Sequence, residues 1–194
     1  FPRHRVCGEF ISGRGLDSLG RLHLRQLILR AGAVPARTAA FFSRRTASRI
    51  QALPSPALCL SRFILDTTLA EEFRRLGGQL HAHTRCNPAT DEGTVQASGR
   101  HAKATEGGWR WFGLKVHARH VKLEADLEMH VSEAGYVGVN RIDNGEVNVC
   151  GLFRARHGDA LLNSRFEWLR GKPGSSLHRR LAAAEFDESS FCSV

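Results

Sequence analysis

Apolar residues keep a helical period near both ends of this chain and a strand period between them. In "RGLDSLGRLHLRQLILRAG" (residues 14–32), Leu16, Leu19, Leu22, Leu27 and Ile28 fall near helical spacing, which predicts one helix stopped by Gly32. Residues 38–60 carry short mixed runs interrupted by Pro54 and Pro56, suited to two edge strands or a hairpin. Ser61 then stands as an N-cap ahead of Phe63, Ile64, Leu65, Leu69, Ala70, Phe73 and Leu76, and Gly77-Gly78 closes this second predicted helix. "QLHAHTRC" (79–86) alternates like a strand, and "GTVQASGRHAK" (93–103) reads as a short strand entering a glycine turn. From Trp109 to Phe153 the alternation is of strand type, broken by Gly, Asp and Asn, with Asp143-Asn144-Gly145 as a hairpin turn. The tail returns to helical spacing in "DALLNSRFEWLRG" (159–171) and "SSLHRRLAAAEF" (175–186), divided by Lys172-Pro173-Gly174. The class expected is α+β, with a mainly antiparallel sheet in the second half and flanking helices.

Composition narrows this picture. The 194 residues are 42% apolar, enough for a core, and no apolar run approaches the roughly 20 residues that span a bilayer. No charged-then-apolar leader opens the chain, and its five cysteines are odd in number and far apart, which reads as reduced thiols in a cytoplasm. Met129 is the only methionine, so a chain opening on Phe1 is expected to be a processed or cut piece. Of 28 basic residues all but Lys103, Lys115, Lys122 and Lys172 are arginines, and the net charge is +9. These charges are scattered, which favours a solvated surface, then an anionic cofactor or substrate, and disfavours nucleic acid. Neither H-E-x-x-H nor Cys-x-x-Cys spacing occurs, so no metal site is expected, and no G-x-S-x-G elbow suggests a hydrolase.

Four stretches, in order, carry a resemblance: "FPRHRVCGEF", "LSRFILDTTLAEEFRRLGG", "VQASGRHAK" running into "WFGLKVHARH", and "GYVGVNRIDNGEVNVCGLF". Together they resemble FAD-dependent oxidoreductases of the geranylgeranyl-reductase-like group, within the hydroxybenzoate-hydroxylase-like flavoprotein superfamily. The resemblance implies the middle of a two-domain flavoprotein: residues 1–100 as a partial FAD-binding domain with inserted strands, 101–170 as an antiparallel substrate-domain sheet, and 171–194 as a C-terminal helix and truncated tail. It also implies a parent that binds FAD, takes electrons from NAD(P)H or another reductant, and acts on a small apolar or aromatic substrate. Peripheral membrane contact stays open, and oligomeric state is not indicated. Reduction of a double bond is the leading activity, with a flavin monooxygenase as rival and a non-enzymatic basic binding module as the alternative outside enzymes. The G-x-G-x-x-G turn and the later Gly-Asp motif of such proteins have no counterpart in place here, so the piece alone is expected to be inactive and to hold FAD weakly.

By the same resemblance, Cys7 faces the reacting double bond, while Arg5, Gly8, Arg62, Ser98, Gly99 and Arg100 line the cofactor, Ser98 standing where relatives have an Asp. A small packing role for Cys7 and a plain turn at Ser98-Gly99 are the bland alternatives, and Glu9 is read as structural. Lys115 and His117 alternate with Leu114, Val116 and Ala118, so they either line a pocket or form a solvated sheet face. They are taken as substrate-binding candidates with Tyr136 and Val139. "WRW" at 109–111 continues into Phe-Gly and departs from the halogenase Trp-x-Trp-x-Ile-Pro signature, which disfavours halogenation.

Overall fold

The computed structural model describes residues 2–43, 46–84, 92–97, 105–106, 108–156 and 165–194. Its centre is one nine-stranded sheet with the order β1-β3-β2-β6-β7-β8-β5-β4, and β9 pairing β5. The strands are β1 (Phe10–Ile11), β2 (Val34–Phe42), β3 (Gln51–Cys59), β4 (Thr105–Glu106), β5 (Trp109–Arg119), β6 (Leu127–Ser132), β7 (Gly135–Arg141), β8 (Val147–Arg156) and β9 (Glu185–Ser193). Among the described residues every ladder is antiparallel except β2 with β6, where Ala39 to Phe42 run alongside Leu127 to His130. Through that junction the sheet runs without a break across residue 100.

The hairpin expected at 38–60 forms as β2 and β3, and its prolines sit where they do least harm. Pairing jumps from Ala36↔Ala57 to Thr38↔Ala52, so Pro54 and Pro56 lie in a bulge and leave no ladder donor missing. The helix expected over 14–32 is instead two, α1 (Arg14–Arg21) and α2 (Arg25–Arg30). His23 adopts φ +58°, while Leu24 N–H bonds Leu19 O and His23 N–H bonds Gly20 O. That is the Schellman ending, made here without glycine, which sequence spacing could not announce. The helix α3 (Arg62–Arg75) ends the same way, but at the expected Gly77 with φ +91°. None of the 14 residues of α3 is fully buried, and Phe73 is half exposed where a core position was expected.

Among the described residues, 79–84 and 92–97 form no strand; Ser98, Gly99 and Arg100 lie outside the described residues, as do 157–164. What is described of the 159–171 helix is α4 (Arg165–Arg170). The tail departs further from expectation: α5 covers only Ser176–Arg180, and residues 185–193 add β9 to the edge of β5. Leu181 and Ala184, in the turn between, bury against the core instead of extending the helix, so packing overrides the helix propensity of the alanines.

Direct cross-strand partners share a face, so the registers sort the sheet into two sides. One side packs Val116, Ala118, Val137, Val139, Val149 and Phe153 against Leu169, Leu177 and Leu181 of the α4–α5 region. The other carries the row Phe41–Met129–Gly138–Cys150–Lys115, with Tyr136 and Leu152 one row along. A smaller core of Leu19, Ile28, Ala33, Leu58 and Leu60 lies under α1, α2 and α3.

Candidate functional site

The N-terminal loop crosses the second sheet face at the end where β5 is buried on both sides. Glu9, 1% exposed, takes φ +50° there. A non-glycine residue holds this backbone at a cost of about 1–3 kcal/mol, which the surrounding contacts must offset. Its carboxylate accepts from Lys115 Nζ at 3.0 Å, from His117 Nε2 at 2.8 Å and from the Arg62 backbone N–H at 2.9 Å. Lys115 is fully buried and also meets His4 Nδ1 at 3.2 Å. His4 stacks on Phe63 and stands edge-on to His117, whose Nδ1 lies 3.5 Å from Glu146 Oε2.

The charges order themselves. Burial works to raise the Glu9 pKa, yet the His117 hydrogen bond, the His117 and Lys115 charges and the Arg62 amide outweigh it and hold it below the usual carboxylate range. His4 goes down through burial, then through Lys115 and His117. A neutral His4 therefore presents a bare Nδ1 to the Lys115 ammonium, which donates. Lys115 and His117 of β5 are thus neither solvated nor open: both are buried and paired, whereas Arg119, 68% exposed, reaches solvent while pairing Glu146.

Cys7, half-buried, accepts the Glu9 N–H on its sulfur at 3.3 Å, and its carbonyl takes Asn148 Nδ2 at 3.1 Å. Cys150 and Cys192 flank Lys115 as its partners on β8 and β9. Burial, then the neighbouring Cys7 and Glu9, push the Cys150 thiol up to about 12, so it stays protonated. Among the described residues, Asn148 Oδ1 is a buried side-chain oxygen with no hydrogen-bond partner.

The structure brings Cys7, Gly8, Arg62, Lys115 and His117 to one place. Arg5 is exposed on the same loop, and Tyr136, 42% exposed, lies on the same sheet face. Val139 does not join them: it is fully buried on the opposite, helix-covered face. Arg62 differs from expectation in detail. Its guanidinium forks onto Asp66 with both bonds at 2.9 Å. Two of the first three amides of α3 are already taken, since Glu9 accepts Arg62 N–H and Ser61 Oγ accepts Ile64 N–H. Glu9, His4, Asn148 and Glu146 were not singled out as site residues. A usable signal existed: Glu9 inside "VCGEF" and Lys115 inside "GLKVHA" are opposite charges within apolar runs, and buried charges must pair.

No protein-family profile matches the sequence, and no curated protein matches it either. Solved structures do match its fold over the whole chain. A flavoprotein/dehydrogenase from Cytophaga hutchinsonii superposes with TM-score 0.72 at 15% identity, covering 100% of this chain and 58% of that one. The flavin-dependent brominase Bmp2 gives 0.70 at 13%, with 100% and 58% covered. The myxobacterial chondrochloren halogenase CndH, an FAD-dependent halogenase, gives 0.70 at 17%, with 100% and 56% covered. The chain therefore shares its fold with part of each of these flavoproteins, and it spans somewhat over half the length of these structures.

The residues present fit one edge of a flavin. Gly8 is exposed and has nothing within 4 Å of where a Cβ would stand, so backbone there is open to a planar ring. Arg62 keeps 29% of its side chain exposed beside Cys7, and Met129, Gly138 and Leu152 continue the face as a largely apolar floor. Two cavities, of about 250 and 440 Å³, lie around Phe42 and do not touch this cluster.

Proposed function

We propose that the chain is the substrate-facing part of an FAD-dependent oxidoreductase of monooxygenase type. The observation that supports this best is the whole-chain fold likeness to flavin-dependent enzymes, combined with a charged cluster buried beneath the loop on which Gly8 leaves backbone open. FAD, when bound, supplies electrons to oxygen or to the substrate. The chain's own residues then have three tasks. Gly8 lets the backbone approach the ring, and Arg62 meets negative charge on the cofactor. The Glu9–Lys115–His117 cluster fixes the loop that carries Cys7, with the shared proton on His117 Nε2 directed at Glu9. Met129, Tyr136 and Leu152 offer an apolar surface that suits an apolar or aromatic substrate and keeps water away from the reacting atoms.

Double-bond reduction is the second reading, and it rests on Cys7, a half-buried thiol on the same loop that could deliver a proton. In both readings NAD(P)H serves as a reductant. Oxygen uptake that depends on substrate in the full-length protein distinguishes the two, because a reductase consumes no oxygen in turnover. Absence of visible flavin absorbance from the purified full-length protein would sink both. Arg62→Ala is expected to weaken FAD binding by roughly tenfold or more, from loss of a charged hydrogen-bond donor, read by flavin fluorescence titration.

A further inference from the structure

A second cluster of titratable side chains lies on the opposite, helix-covered face, and the flavin reading does not use it. Glu128 is fully buried and His130 nearly so, two residues apart on β6 and pointing the same way. His130 Nε2 lies 3.1 Å from Glu128 Oε2, and His130 Nδ1 lies 3.2 Å from Ser176 Oγ at the start of α5. Phe42 stacks flat on the imidazole at 4.7 Å and fixes its plane. Ser176, the half-exposed member of the row, lines the 440 Å³ cavity together with Phe42, Thr46, Arg179 and Arg180.

Hydrogen-bond chemistry sets the direction of the row. Burial would raise the Glu128 pKa, but His130, the Glu124 N–H at 2.6 Å and Arg180 at 2.8 Å bring it below its ordinary value, so the carboxylate is ionised and can only accept. It therefore accepts a hydrogen bond from His130 Nε2. In the tautomer that leaves Nδ1 bare, the Ser176 hydroxyl donates to that nitrogen. Nucleophile, base and orienting carboxylate are thus in sequence, with the nucleophile at the cavity and the carboxylate deepest. The 3.2 Å contact is at the loose end of what such pairs show without a substrate.

The geometry points to Ser176 as an acylatable serine, activated by His130 and Glu128, that takes small activated carboxylic esters from the Phe42–Arg179 cavity. Ser176 Oγ forms the bond to the acyl carbon as its proton passes to His130 Nδ1. The C–O bond to the leaving group breaks, and His130 returns the proton to the departing oxygen. Water, deprotonated by the same nitrogen, then cleaves the acyl-serine. No redox partner is required. Arg179, exposed at the cavity, adds positive charge beside the developing oxyanion. No spacing in the sequence marks this row, because its members lie 46 residues apart on a strand and a helix.

The test treats the full-length protein with a fluorophosphonate probe and, separately, with 4-nitrophenyl acetate, followed by peptide mass spectrometry. One adduct per chain on the Ser176 peptide is expected, with loss of that adduct in Ser176→Ala at an unchanged thermal midpoint. His130→Gln is expected to slow labelling about 100-fold, the usual scale for removing a general base. Ser43→Ala, on the same cavity wall, should label as the parent does. Should His130→Gln not fold, comparison of native with heat-denatured parent protein still decides. Labelling no faster in the native state, or an adduct that persists in Ser176→Ala, overturns the assignment.

Discussion

Glu9 is a single carboxylate with three partners on two different elements, β5 and α3, so its removal should exceed an ordinary surface loss. Glu9→Ala leaves Lys115 buried without its counter-charge, and a cost of about 3–5 kcal/mol is expected, measured by urea unfolding. Adding Lys115→Met to that variant should restore part of the loss, since removing both charges costs less than stranding one. Stability also depends on pH through depressed groups, two of which belong to this cluster. His4, ordinarily near 6.5, and Glu9, ordinarily near 4.5, both titrate lower when folded. The unfolded chain therefore binds more protons in each window, and stability falls as pH drops below about 6.5 and again below about 4.5. His4→Phe should flatten the upper step and leave the lower one, read from urea midpoints across pH.

At the scale of elements, two glycines on β7 make a controlled comparison. Gly135 adopts φ +150°, and a Cβ there would collide with the Leu152 carbonyl across the ladder. Gly135→Ala is expected to cost about 1–3 kcal/mol and to loosen the β6–β7 turn. At Gly138 a Cβ meets the flexible Met129 sulfur at 3.3 Å and the Cys150 carbonyl at an ordinary 3.8 Å, so Gly138→Ala should change stability little while adding bulk to the proposed substrate floor. Loss of turnover with an unchanged melting temperature in that variant would mark the floor as functional. Helix α3 supplies a second case. Its N-cap Ser61 accepts Ile64 N–H, and its own N–H reaches Asp143 Oδ1 at 2.7 Å, so Ser61→Ala should cost about 1 kcal/mol. Local signals were readable here: Ser61, Gly77 and the 143–145 turn do what their residue types suggest. The ends of α1 and α5 were not readable, because a left-handed His23 and the buried Leu181 and Ala184 answer to tertiary contacts.

For the molecule as a whole, the sequence pattern conveyed the α+β class and an antiparallel sheet, since alternation over 109–153 is a property of neighbouring residues. It conveyed neither the parallel seam between β2 and β6 nor the edge strand β9, both of which depend on residues far apart along the chain. The buried charge cluster was half visible for the same reason. Cys7 and Arg62 were marked by the resemblance and Lys115 and His117 by strand alternation, whereas Glu9, the group that joins them, looked like an ordinary acidic residue until β5 was placed beneath it. Val139 shows the reverse, because one residue of strand register sends it to the other side of the sheet.

The Arg62 amide, held by Glu9, has a further consequence. Its proton cannot be traded for deuterium until that carboxylate lets go, and the carboxylate is anchored by Lys115 and His117 on a distant strand. A single backbone position on α3 should therefore act as a gauge of the whole buried charge cluster, slowing in exchange when the cluster tightens and quickening when acid or substitution loosens it.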